Sequence, residues 1–259
     1  MPFPALIDAE GHYLIEKHTI STAPSLHILG LTHQLRHKGA DASRKALIVG
    51  NPNPMPSLPS LSSKSQEFLN PLPGAENEVL AIAKILGAEP IVGDSATETA
   101  VVAQMPQAQI IHLATHGLLE SGIPALSYLR DVPGAIALAP GGEEDGLLTA
   151  AEIYELDLMA ELVVLSACDT GRGSLTGDGV VGLSRAFIQA GVPSIIVSLW
   201  SVPDAPTAEL MTEFYQQWQT TGNKAQALRQ AMLTTMATHP NPRDWAAFTL
   251  IGEIDTPRE

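Results

Sequence analysis

The chain has 259 residues, 45% hydrophobic and 16% charged, a balance that supports a large packed core and excludes an extended disordered tail. With 28 acidic residues against 14 basic ones, the surface repels phosphate backbones, stays soluble, and attracts basic segments of other proteins; a direct nucleic-acid partner is not expected. The single cysteine excludes an internal disulfide and a thiolate metal cluster, and no apolar run is long enough to cross a membrane.

Met1-Pro2-Phe3-Pro4 lacks the basic start and apolar stretch of a secretory signal, so a cytoplasmic protein is the expectation. From residue 45 onward, apolar runs alternate with helical patterns. KALIVG predicts a strand, and GAENEVLAIAKILG a helix stopped by Gly87. After the short run PIVG, Ser95 and Glu98 have capping-box spacing for a helix through Val102. AQIIHLATHG and GAIALAP predict further strands, and Thr149 with Glu152 repeats the capping-box spacing ahead of AAEIYEL.

ELVVLSAC is apolar on both faces and reads as a buried strand. GDGVVGLSRAFIQAG follows as a helix closed by Gly191, then PSIIVSLW as a second two-sided strand. TAELMTEFYQQWQ and KAQALRQAMLTTMA are amphipathic helices, and WAAFTLIG is a last strand or an apolar terminal segment. Continuous apolar strands with helices between them predict an α/β fold, a mostly parallel sheet covered on both faces. Residues 51–74, rich in Pro and Ser, read as a long mobile loop, and 139–146 as an exposed acidic turn. No repeat is evident, neither loop divides the chain, and 1–259 is expected to form a single domain.

In an open parallel sheet, ligands bind beyond the carboxyl ends of the strands. IIHLAT runs into His116-Gly117, and LVVLSA into Cys168-Asp169. If these strands are parallel neighbours, imidazole and thiol share one rim, as a Cys–His hydrolase requires. Backbone N–H groups at Gly117 and Cys168 would then stabilise an oxyanion. Gly171, Gly173 and Gly177 would let the following loop pass close to a bound peptide. The residues alone leave two readings open, a catalytic thiol and an inert buried one.

PFPAL…YLIEKHTISTAPS, IIHLATHG, LVVLSACDTGRG, GDGVVGLSRAFIQAGVPSIIVSLWSVPD, KAQALRQAM and DWAAFTLIG carry a resemblance that spans nearly the whole chain. In these stretches the sequence resembles the CHAT family, caspase-like domains of clan CD often attached to tetratricopeptide repeats. The resemblance implies a caspase-like fold and a cysteine endopeptidase that needs no cofactor or metal. It places His116 as general base and acid, Cys168 as nucleophile, and the amides of Gly117 and Cys168 as the oxyanion hole. It also implies a protein or peptide substrate, and a helical-repeat region or activator protein as regulator. The family's upstream repeats are missing, so a catalytic domain cut from a longer protein is expected.

In caspase-like folds the residues past the strand SIIVSLW help form the pocket for the side chain before the scissile bond. The resemblance therefore implies that Asp204 lines this pocket and favours Arg or Lys, with Asp169 and Asp178 as weaker candidates. Helix N-cap is the competing role for Asp204. Trp200 and Ser201 lie beside it at the same strand end, where an aromatic more often packs than binds. His112 is either a partner of the catalytic pair or a hydrogen-bonded structural histidine. His12, His18, His27, His33 and His37 lack metal-ligand spacing and read as surface or packing residues.

Gly177, Gly179 and Gly182 spell G-x-G-x-x-G, but the loop from Cys168 to Thr176 separates them from the strand, which speaks against a dinucleotide site. Met211, Phe214, Tyr215 and Trp218 recur at helical spacing and predict core. The loops 51–74 and 170–178 are candidate gates, with Arg172 a candidate self-cleavage site. The competing class is a non-catalytic caspase-like module that binds a partner protein.

Overall fold

A computed structural model describes residues 2–35, 45–58, 66–118, 134–166 and 177–255, with the side chains of 177–181 outside that set. Ahead of the first strand the chain forms α1 (Leu14–Lys17) and α2 (Leu26–Leu35), neither announced by the apolar pattern. β1 (Ala46–Pro52) leads to α3 (Pro73–Leu86), whose last turn closes on Gly87 at φ 64, the left-handed conformation that glycine adopts without strain. β2 (Ile91–Gly93), α4 (Glu98–Val102) and β3 (Ile110–Ala114) follow, then β4 (Gly117–Leu118), β5 (Ala135–Ala137), β6 (Leu147–Thr149) and α5 (Ala150–Tyr154). The chain continues through β7 (Leu162–Leu165), α6 (Gly177–Gln189), β8 (Ser194–Ser198), α7 (Asp204–Thr221), α8 (Lys224–Thr238), α9 (Pro242–Trp245) and β9 (Phe248–Gly252).

The main sheet has six strands in the order β2-β1-β3-β7-β8-β9, parallel except for β9, which runs antiparallel to β8. Alternate residues of its strands feed two cores, which is why they read as unbroken apolar runs. On one face Leu47, Ile111, Val163 and Ile195 pack with Ile153 of α5 and Phe187 of α6. On the other, Ile48, Ile110, Val164 and Ile196 pack with Val79 of α3 and with Leu210 and Phe214 of α7. The stripe Met211, Phe214, Tyr215 and Trp218 lies wholly in this second core, as its spacing predicts. WAAFTLIG resolves into β9, whose outer edge is covered where Thr22 N–H donates to Leu250 O and Gly252 N–H to Thr22 O. This is the mostly parallel α/β sheet, helices on both faces, that the sequence predicts.

Two local expectations are corrected. Thr97, not Ser95, caps α4, accepting from Ala100 N at 3.2 Å. Ser95 Oγ instead donates to Val92 O at 2.6 Å, and the Glu98 carboxylate accepts from Gly146 N at 2.8 Å rather than reaching back to a cap. The stretch 51–74 is also not loop throughout. It begins inside β1, pairs Pro56 with Phe68 in a bridge, and ends in the first turn of α3, while 59–65 lie outside the described residues. The Thr149–Glu152 capping box forms as expected, with both reciprocal hydrogen bonds present.

A small antiparallel sheet, β4-β5-β6, stands beyond the end of β3. It is tied back to the main sheet where Ala137 N donates to His116 O at 2.9 Å and Thr115 Oγ1 to Ala137 O at 2.6 Å.

Candidate active site

β3 and β7 are parallel neighbours in register, His112 beside Val164 and Leu113 beside Leu165. Each strand then leaves the sheet at the same margin, one into Thr115-His116-Gly117 and the other into Ser166. Ser166 N still donates to Leu113 O at 3.0 Å, which holds the two departing segments together. The neighbour condition set by the sequence is therefore met. Cys168 and Asp169, and with them Gly171, Arg172 and Gly173, lie outside the described residues.

His116 is buried to 8% exposure, and its Nε2 lies 2.9 Å from the carbonyl of Asn70. A carbonyl only accepts, so Nε2 carries the proton and Nδ1 is the basic nitrogen. Asn70 belongs to the Pro- and Ser-rich stretch whose composition gave no hint of such a role. Gly117 follows in β4, opposite Ile136 of β5.

A cavity of about 250 Å³ opens at this margin, with His116, Thr115 and Ser166 on one side and Ser198, Ser201, Val202 and Asp204 on another. Glu78, Ala75 and Leu72 at the start of α3 close a third side. Asn51 sets that helix in place. One residue before β1 ends at Pro52 it adopts φ 46, a left-handed conformation asparagine tolerates, accepts from Leu72 N at 2.7 Å, and donates to Glu76 Oε2 at 3.0 Å.

Asp204 is exposed at the cavity rim, in the first turn of α7. Pro203 occupies the N-cap position and no side chain caps the helix, so the N-cap role does not apply to Asp204. Its carboxylate packs over Gly74 in the first turn of α3, where a helix favours negative charge. Ser201 joins the wall. Trp200 does not: half-buried, it donates from Nε1 to Arg243 O at 2.9 Å and packs against the second core. Asp178 lies in the first turn of α6, its side chain outside the described set.

His112 is fully buried in the strand that leads to His116. Its Nε2 meets Glu78 Oε1 at 3.1 Å and its Nδ1 meets the Tyr215 hydroxyl at 3.1 Å, the satisfied arrangement of a structural histidine. Burial, and then the charge of Glu78, hold the Tyr215 phenol well above its ordinary pKa. Glu78 is the wall residue that sequence reading missed. Its only signal is a carboxylate on the helix face that buries Ala75, Val79 and Ile82.

His12 and His33 pair with Asp8 and Glu253 on the surface, and His18 and His27 are exposed, in keeping with their surface reading; His37 lies outside the described residues. No group of three or more His, Cys, Asp or Glu is placed to hold a metal among the described residues, and no described helix is long and apolar enough to cross a membrane.

Among known proteins, the chain is 31% identical over 288 residues to the tetratricopeptide repeat protein 28 of Mus musculus, with 97% of the chain covered. It spans only 12% of that relative's length. Among solved structures, the separase–securin complex of Saccharomyces cerevisiae matches 90% of the chain at a TM-score of 0.55 and 15% identity, using 14% of its own chain. The Arg-specific cysteine proteinase gingipain R matches 90% of the chain at a TM-score of 0.54 and 11% identity, using 53% of its own. These likenesses show the fold to be the caspase-like α/β fold expected from the sequence. The CHAT domain pattern matches residues 1–253, and the chain belongs to the CHAT domain family.

Proposed function

We propose that this domain is a cysteine endopeptidase in which Cys168 attacks the scissile carbonyl and His116 serves as base and then acid. The thiol's proton passes to Nδ1 as sulfur bonds to carbon, the amides of Gly117 and Cys168 receive the oxyanion, and the imidazolium protonates the leaving amine. Water then attacks the acyl-enzyme, with Nδ1 accepting its proton and returning it to sulfur. No cofactor takes part. The observation that supports this reading is the parallel, in-register pairing of β3 with β7, which brings Ser166, two residues before Cys168, beside the strand that leads to His116.

Substrate binding falls to Asp204 and Ser201 in the cavity wall, with Asp169 and Asp178 as further candidates. Asp204 favours Arg or Lys before the scissile bond, a reading supported by the name of gingipain R, an Arg-specific proteinase. A cytoplasmic site of action and a regulatory helical-repeat or activator partner belong to the same proposal. So does gating by the segment 170–178, with self-cleavage at Arg172.

A peptide probe carrying a thiol-reactive group tests the chemistry. Labelling that requires both Cys168 and His116 supports the peptidase, and labelling indifferent to His116→Ala contradicts it. Retained Arg/Lys preference in Asp204→Ala would remove Asp204 from the pocket.

The second reading is a non-catalytic module that recognises a partner protein. Similarity to tetratricopeptide repeat protein 28, whose name carries no enzymatic activity, favours it, as does a neighbour crystallised in complex with securin. Absence of labelling with and without candidate activators would select this reading.

A further inference from the structure

We propose that Glu78 is a specificity-determining residue of the cavity beside His116, where it pairs with a cationic side chain of the substrate, a guanidinium or an ammonium. This deepens the peptidase reading and rests on it for the word substrate.

Glu78 lines the cavity yet is only 2% exposed. Its hydrogen-bond partner among the described residues is the Nε2 of fully buried His112, whose Nδ1 meets the Tyr215 hydroxyl. Tyr215 keeps its proton, since burial and the Glu78 charge both oppose ionisation. In the tautomer that carries its hydrogen on Nε2, the Tyr215 hydroxyl donates to Nδ1 and Nε2–H donates to Glu78. The His112 contact holds Glu78 in place at the cavity wall.

Burying a carboxylate is costly unless it is paired, and the described wall of the cavity contains no lysine or arginine. It offers hydroxyls instead. Ser166 Oγ is buried with no hydrogen-bond partner among the described residues, an acceptor open to an entering N–H. A guanidinium presents N–H donors in a planar fork and satisfies carboxylate and hydroxyl together. Asp204, at the exposed rim, acts through solvent and is screened by salt, whereas Glu78 acts at low dielectric. The buried carboxylate therefore sets the preference, and the rim carboxylate adds to it. A neutral side chain in the same place leaves Glu78 unpaired.

The test titrates the full chain with n-butylguanidinium and with its uncharged isostere n-butylurea, by calorimetry and by NMR of the histidine rings. Wild-type protein is expected to bind the cation at least tenfold more tightly, with the His112 resonances moving as it binds. Glu78→Gln is expected to abolish the preference, and Asp204→Asn to weaken it by less. Equal affinity for the two ligands in wild-type protein would overturn the proposal. So would a preference that survives Glu78→Gln and is lost in Asp204→Asn. If Glu78→Gln shows no cooperative melting, the wild-type affinity ratio and the His112 shifts decide, because neither needs the variant. None of these readouts requires hydrolysis, so failure of the peptidase reading shows separately, in the thiol-probe experiment.

Discussion

His116 and Asn70 meet at 2.9 Å, imidazole Nε2 against backbone carbonyl, and this contact fixes which nitrogen is basic. Nitrogen-15 NMR of His116 is expected to show Nε2 protonated and Nδ1 as acceptor. His116→Ala is expected to lower kcat/KM by roughly 10²–10⁴, the range for losing a positioned general base. An Nδ1-protonated ring would contradict the assignment.

Asn51 joins the end of β1 to the first turn of α3 through hydrogen bonds of 2.7 and 3.0 Å. Asn51→Ala leaves the partners unsatisfied and places a residue less suited to it at φ 46. A loss of about 1–3 kcal/mol is expected in urea unfolding. Because α3 carries Glu78 and Ala75 into the cavity wall, ligand binding there should weaken with it.

Glu98 gives the fold a pH dependence of known sign. Burial pushes its carboxyl up to about 7, with repulsion from Glu152, Glu144 and Asp145 adding to the effect and the Gly146 N–H opposing it. The folded state therefore holds this proton more tightly than the unfolded chain. The contribution is fully present below the ordinary value of 4.5 and is lost as pH rises through about 7. Urea unfolding at pH 5 and pH 8 is expected to show wild-type protein losing more stability across that interval than Glu98→Gln. An identical loss in the two proteins would contradict it.

Two glycines predict opposite outcomes for the same substitution. A Cβ on Gly74 would lie 2.0 Å from Asp204 Cγ and 2.2 Å from Asp204 Cβ, a clash no rotation of Asp204 relieves. Gly74→Ala is expected to cost about 1–3 kcal/mol through the shift it forces between α3 and α7. Gly30, within α2, has nothing within 4 Å of an added Cβ. Gly30→Ala is expected to gain about 0.5–1 kcal/mol from helix propensity. Thermal melts of both variants check the pair.

The main sheet was legible because burial on two faces leaves an unmistakable mark: strands such as LVVL and SIIVS have no polar side to disguise them. Placing His116 at a strand end followed from the same pattern. What escaped was set by contacts distant in sequence. Asn70 enters through a backbone carbonyl, which any residue supplies, and Asn51 through side-chain hydrogen bonds to Leu72 and Glu76 far along the chain. Glu78 differs from an ordinary helix carboxylate only because His112 and Tyr215, from two other elements, surround it. Ser95 misled because its spacing to Glu98 matches a capping box, while Gly146, far along the chain, claims the glutamate.

Pairing of the thiol with the imidazole is the central claim, and the rate of Cys168 alkylation by iodoacetamide across pH 5 to 10 tests it without reference to any substrate. A His-paired thiolate forms below the pKa of about 8.5 of a free cysteine, so the wild-type rate should plateau early and the His116→Ala profile should move up toward that value. Superimposable profiles for the two proteins, both rising near 8.5, would show that the imidazole does not reach the sulfur.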